Sequence, residues 1–313
     1  MVKKIIYAFL HIPKTAGTII ASSLKKKYSP SQILVADSKF ADLPNRTESY
    51  QDLIDKVSAL SPVQKRQIKI ICGHGVYYGI HRHFPEAEVK YFTIIREPLD
   101  RLVSHYNYYL TLLKNNSFPG RRQEKYTKEC LLSSHGTLSL QEALSTRSNF
   151  SNYTFKFLAD HFFGTDCADL FDETYTNQGE ISRLLGEIKK ILSEFNFIAI
   201  TEKSLSDFAY LSFLLKFKLP LRQINRSEKF LTSEEINAAK NLLSDRLALD
   251  YDLYNFCLEL NGSFKKKNKY FYLYSSIVRS SNMVRKLPLL LFQLSAKLKR
   301  FKVYQQLISW LKK

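Results

Sequence analysis

Twice in its amino-terminal half the chain runs an apolar, strand-like stretch into a basic turn and then into a helical pattern, which confines it to few folds. The first instance is Ile5 to Leu10, which breaks at Pro13 into the turn Lys14-Thr15-Ala16-Gly17-Thr18; a helical pattern follows from Ile19 through Lys27. A turn between strand and helix gathers backbone N–H groups at the positive end of the helix dipole. Here Lys14 adds a full charge and Gly17 lets a ligand approach the main chain closely. A phosphate or sulfate suits such a cradle. The spacing is not the nucleoside-triphosphate pattern Gly-x-x-x-x-Gly-Lys-Ser/Thr, because Lys14 precedes the only glycine of the turn. Taken alone, the turn also reads as an ordinary helix start with Thr18 as N-cap and Lys14 in solvent.

The second instance decides between these readings. Val89 to Ile95 is β-branched and aromatic enough for a buried strand and runs directly into Arg96-Glu97-Pro98-Leu99-Asp100-Arg101-Leu102-Val103-Ser104. Pro98 suits the first turn of a helix. Arg96 is therefore expected at the carboxyl end of a strand, with Arg101 and Ser104 one turn apart on the following helix. Two guanidiniums and a hydroxyl at the mouth of a parallel sheet make a second anion site, since arginine grips phosphate through paired hydrogen bonds. Two such sites point to a doubly charged nucleotide. The alternative for Arg101 is an ion pair with Glu97 across one helical turn, which leaves Arg96 and Ser104 unexplained.

With these segments in hand, the chain resembles the sulfotransferases that use 3′-phosphoadenosine 5′-phosphosulfate (PAPS). His11 to Thr18 is similar to that family's loop for the 5′-phosphosulfate, and Arg96 to Tyr106 to its 3′-phosphate motif, in which the leading Arg and a later Ser hold the phosphate. The separation of the two is that of the carbohydrate branch. Fainter likenesses extend the match: Asn152 to Leu158 to an Asn-led helix, with Lys156 where Arg is usual, Phe197 to Glu202 to a late core strand, and Asp250 to Tyr254 to a closing helix. The resemblance spans roughly Met1 to Leu260. It implies an α/β fold in which helices flank a parallel β-sheet with a P-loop-like phosphosulfate-binding turn. It also implies PAPS as co-substrate and no metal.

Between the two motifs an apolar run from Ile68 ends in Cys72-Gly73-His74-Gly75, placing an imidazole on closely approachable backbone at the carboxyl edge of the sheet. Histidine is the side chain best suited to taking a proton near neutral pH. The heparan sulfate uronyl 2-O-sulfotransferases carry their catalytic base in a similar Gly-His segment, so the resemblance assigns that role to His74, with His11 as the alternative base. It further implies Lys14 at the leaving group, the Thr15 and Thr18 hydroxyls with the Ala16 and Gly17 amides on the 5′-phosphate, and Arg96 and Ser104, with Arg101 nearby, on the 3′-phosphate. His81 and His83 have a His-x-His spacing, but no Cys or carboxylate clusters with them, so metal binding is not expected.

At 313 residues with 45% apolar content, the chain can bury one large core, and no Gly/Ser- or Pro-rich linker divides it. One catalytic domain over residues 1–262 is expected. Cys72, Cys130, Cys167 and Cys257 match no metal or disulfide spacing and suit a reducing compartment. The first strand begins almost at Met1, which leaves no room for a signal peptide or amino-terminal anchor and favours a cytoplasmic, bacterial enzyme.

Charge is spread unevenly. From Ser263 to Lys313 there are 13 Lys/Arg and no Asp or Glu, so this stretch carries +13 of the +18 net charge. Apolar residues interleave with the basic ones in runs far shorter than the ~20 residues a bilayer requires. Residues 263–313 thus read as a basic amphipathic C-terminal extension whose helices lie on an anionic membrane surface, with Trp310 at the boundary. Helices packed on the core, or contact with a polyanionic glycan, are the alternatives. No recognition motif makes a nucleic acid specific.

The middle of the chain is the least legible. Asn115 to Arg122 reads as a polar loop, and Arg121, Arg122, Lys125 and Lys128 suit an acidic sugar or plain solvation. The family resemblance implies that Asn225-Arg226-Ser227 returns to the nucleotide near its adenosine half. A glycan is the expected acceptor, by resemblance alone. Two other classes stay open. A nucleotide-dependent kinase should show a Gly-Lys-Ser/Thr loop and acidic metal ligands, and neither is present. A non-catalytic reader of polyanions or membranes explains the extension but not paired motifs at two strand ends.

Overall fold

The apolar runs form the strands they suggest. In the computed structural model, which describes residues 3–36, 47–147, 150–164, 178–215, 219 and 230–267, β1 (Lys4–Leu10), β2 (Ile33–Val35), β3 (Ile70–Gly73), β4 (Ala87–Ile95) and β7 (Phe197–Ile200) make one sheet. Its order is β2-β3-β1-β4-β7 and every pairing in it is parallel. A separate two-stranded ladder joins β5 (Leu132–Ser133) to β6 (Gly136–Thr137).

Parallel strands are covered on both faces, which is why β1 reads as a continuous apolar run and not as an alternation. Ile6, Ala8 and Leu10 point to one face, while Phe9 points to the other with Cys72, Phe92 and Phe197. The first face is covered by α2 (Thr47–Ser58), α7 (Tyr153–Phe163), α8 (Gln178–Ser193) and α11 (Ala248–Lys267), through Leu53, Phe155, Ile188 and Leu253. The opposite face takes α1 (Gly17–Lys27) and α9 (Ser204–Leu214), through Ile20, Leu24 and Phe208. A third apolar cluster joins α4 (Pro98–Asn115), α5 (Arg121–Leu131), α6 (Leu140–Thr146) and α10 (Ser233–Arg246). The short α3 (Pro62–Gln67) precedes β3 and starts with a capping box at Ser61 and Gln64.

Topology fixes where a ligand can sit. After β1 the chain passes through α1 toward β2 on one edge; after β4 it leaves through α4 and returns as β7 on the other edge. The strand order therefore reverses between β1 and β4, and in open α/β sheets the crevice at the carboxyl ends of such a strand pair is the binding site. Both basic turns open there.

α11 crosses the expected domain boundary at 262 and is described as far as Lys267, so the first part of the basic stretch belongs to a helix of the core. Lys265 is 9% exposed and pairs with the fully buried Asp207 at 2.6 Å. The rest of the expected amphipathic extension, 268–313, lies outside the described residues. Among the described residues no helix is long and apolar enough to cross a membrane.

Candidate active site

Strand register places the two central histidines. Leu10 of β1 is level with Gly73 of β3 and with Thr93 of β4, so His11 and His74 leave neighbouring strands side by side. Their rings stack with centroids 4.0 Å apart. The half-buried His74 sets Nδ1 2.6 Å from the His11 carbonyl oxygen. A carbonyl only accepts, so Nδ1 carries the proton and the lone pair of the neutral ring lies on Nε2. That is the tautomer a general base needs.

His11 has a different environment. It is 4% exposed and its ring also stacks on Phe9. Burial, followed by the charges of His74, Lys25 and Lys14, holds its pKa well below the usual histidine value. A neutral, enclosed ring shapes the loop and is poorly placed to exchange protons with a substrate. His11 also explains Gly17. A methyl group at Gly17 would lie 2.2 Å from His11 Cδ2 and 3.0 Å from Phe9 Cζ. The close approach expected of a ligand at this glycine is made by the His11 ring.

The turn itself is wound for anions. Lys14 and Ala16 both have φ 66°, a left-handed conformation uncommon outside glycine. Left-handed residues alternating with ordinary ones point successive N–H groups into one concavity. Ala16 is the N-cap of α1 and no side chain caps it, so the first amides of the helix face outward without an intrahelical acceptor. Thr18, exposed on the first turn, is not the cap. Thr15 departs from its expected role: it is 1% exposed and its hydroxyl donates to the Ile12 carbonyl at 2.8 Å, bracing the loop from inside.

The two motifs touch across the crevice. Arg96 Nη1 donates to the Lys14 carbonyl at 3.3 Å, while its buried Nε has no acceptor among the described residues. Lys14 Nζ rests 4.0 Å from the centroid of the Tyr108 ring. Tyr108 lies one turn after the half-buried Ser104 on α4, so lysine, serine and tyrosine share one side of the crevice. A family model described as "Sulfotransferase family" matches residues 3–256. The chain belongs to the sulfotransferase family. No curated protein matches it.

In this sulfotransferase Arg101 does not belong with the anion ligands. It is 0% exposed, its guanidinium lies 4.2 Å from the centroid of the Tyr153 ring, and its charge acts on buried Asp250. A fully enclosed guanidinium offers a nucleotide no surface, and the expected place on the 3′-phosphate is corrected to a structural one. The Asp250 carboxyl is pushed up by burial, with Arg101 opposing, and accepts from the Thr154 and Phe155 amides at 3.1 and 2.8 Å. It thereby ties the start of α7 to α11.

Sequence reasoning missed Thr201, whose hydroxyl lies 2.9 Å from the Thr15 carbonyl and 3.1 Å from that of Ile95. It holds the loop after β1 to the end of β4. Its position directly after the last core strand was the available signal. Of the basic residues after α4, Lys128 and Lys125 pair with Glu124 and Glu129 along α5 at 2.7 and 3.8 Å. His81 Nδ1 meets the Tyr91 hydroxyl at 2.9 Å. Cys167 and Asn225-Arg226-Ser227 lie outside the described residues. A cavity of about 540 Å³ opens among Lys4, Leu60, Phe84 and Ala87. Lys4 and Ala87 begin β1 and β4, so this cavity is at the opposite end of the sheet from the paired loops.

Proposed function

We propose that this sulfotransferase moves a sulfuryl group from PAPS to a hydroxyl of a glycan acceptor. The observation that carries the reading is the contact between Arg96 and the Lys14 loop at the sheet's switch point, with His74 fixed against the same loop. Two cationic anchors on either side of one crevice match a carrier with phosphates at both ends. The Ala16 and Gly17 amides and Thr18 at the start of α1 take the 5′ end; Arg96 and Ser104 take the 3′-phosphate. Binding at the remote phosphate then positions the sulfur.

The acceptor proton passes to Nε2 of His74 as the new S–O bond forms. The S–O bond to the 5′-phosphate breaks in line, and the charge left on the departing bisphosphate is met by Lys14 and the helix amides, much as in phosphoryl transfer. The glycan preference rests on the Gly-His segment carrying His74. Lys14→Ala and His74→Ala are each expected to lower turnover by ~10²-fold or more, read with labelled PAPS against a panel of extracted glycans, lipids and phenols. Adenosine 3′,5′-bisphosphate should raise the melting temperature far more than ATP with magnesium, since a ligand at 100 times its Kd adds ~2.7 kcal/mol. Equal or reversed shifts overturn the reading.

A further inference from the structure

α7 places a second histidine behind His74. His161 is 2% exposed, stacks on Phe157 with centroids 3.9 Å apart, and sits in the last turn of its helix. Its Nδ1 is 2.8 Å from the Phe157 carbonyl oxygen and its Nε2 is 2.6 Å from the carbonyl oxygen of His74 itself. Both partners only accept. A neutral imidazole has a single N–H, so one of these contacts would set two lone pairs against each other; a ring protonated on both nitrogens satisfies both. Burial disfavours that charge. The negative end of the α7 dipole, two carbonyl oxygens and the face of the Phe157 ring all favour it.

The same residue grips the segment a second time, because the His161 carbonyl accepts the Tyr78 amide at 2.8 Å. The Gly-His loop is thus clamped at both ends, with the His74 side chain tied to His11 and its backbone tied to His161. We propose that His161 is a positioning residue, held as an imidazolium, whose charged hydrogen bond to the His74 carbonyl fixes the backbone from which the base is aimed. This rests on His74 being the base, and it assigns to α7 a part in the chemistry that no contact with substrate requires.

The test reads the rings directly. In full-length protein labelled with ¹⁵N-histidine, long-range ¹H–¹⁵N correlation at pH 7.5 should show His161 protonated at both nitrogens and His74 protonated at Nδ1. A neutral pattern for His161 overturns its charge. In His161→Phe the His74 Nδ1 proton should exchange at least ~10-fold faster, with affinity for adenosine 3′,5′-bisphosphate within about twofold of the parent. His161→Gln keeps a donor at the Nε2 position and should restore slow exchange. Unchanged His74 exchange in both variants overturns the positioning role. If His161→Phe fails to fold, His161→Met supplies the donor-free variant and is held to the same exchange criterion. None of these readouts needs an acceptor, so a wrong assignment of His74 as base would show separately, as full activity in His74→Ala.

Discussion

Single atoms govern the loop after β1. The His11 ring is wedged between Phe9 and His74, so it cannot retreat from a methyl group placed 2.2 Å from its Cδ2. Gly17→Ala should therefore cost about 1 to 3 kcal/mol of stability and weaken nucleotide binding with it, because the amides at the start of α1 shift. Urea denaturation and calorimetric titration with adenosine 3′,5′-bisphosphate check both. The same ring makes stability depend on pH. Its folded pKa is held well below the ordinary histidine value of 6.5, so the unfolded chain takes up a proton that the folded chain refuses. The contribution of neutral His11 is complete above pH 6.5 and falls as pH drops from there toward the folded value, by at most about 1.4 kcal/mol per pH unit. Denaturation between pH 8 and 5 should show this slope, and His11→Gln should flatten it. A slope unchanged by the substitution would mean that another group takes up the proton.

At the scale of elements, what was legible was local. β1, β3 and β4 follow from apolar runs, β7 from the family resemblance, and α4 starts at Pro98 as its ring geometry dictates. α1 starts at Gly17, ahead of the apolar pattern that marks it from Ile19, because Ala16 adopts a left-handed cap that no sequence rule assigns to alanine. What was hidden depends on pairs distant in sequence. Arg101 and Ser104 look alike on a helical wheel, and only the fold reveals that Arg101 turns inward toward Tyr153 and Asp250. His161 was hidden for the same reason, since its partner is a backbone carbonyl on another strand's loop. This division between Arg96 and Arg101 has a measurable consequence. Arg101→Met strips the buried Asp250 carboxyl of the larger of its two counter-charges, leaving Lys156, and should cost about 3 to 5 kcal/mol, while the folded protein binds adenosine 3′,5′-bisphosphate as before. Arg96→Ala should do the reverse, sparing stability and weakening the nucleotide. Loss of affinity in Arg101→Met, at temperatures where it is folded, would restore that residue to the site.

Over the whole molecule the charge falls into two territories. Residues up to 262 carry +5 and hold both basic turns, whereas 263–313 carry +13 with no acidic residue to offset it. Three of those basic residues, Lys265 to Lys267, sit in the last turn of α11; Lys265 serves the core through its pair with Asp207, whereas Lys266 and Lys267 are exposed. Ten remain beyond Lys267, interleaved with apolar runs and Trp310. Each Lys or Arg near an anionic surface contributes about 1 kcal/mol, and on the membrane reading proposed for this stretch the interleaved apolar side chains would add burial at the headgroup boundary. The full chain should therefore sediment with phosphatidylserine vesicles, release as salt shortens the Debye length from about 10 Å at 0.1 M to 3 Å at 1 M, and ignore phosphatidylcholine. A chain ending after Lys267 keeps the Asp207 pair and both anion sites, so it should retain the nucleotide-induced rise in melting temperature while losing the vesicles. If vesicle binding survives that truncation, the attraction comes from the catalytic crevice. If the nucleotide response is lost with it, the basic extension acts on the core and the membrane reading gives way to packing against the enzyme itself.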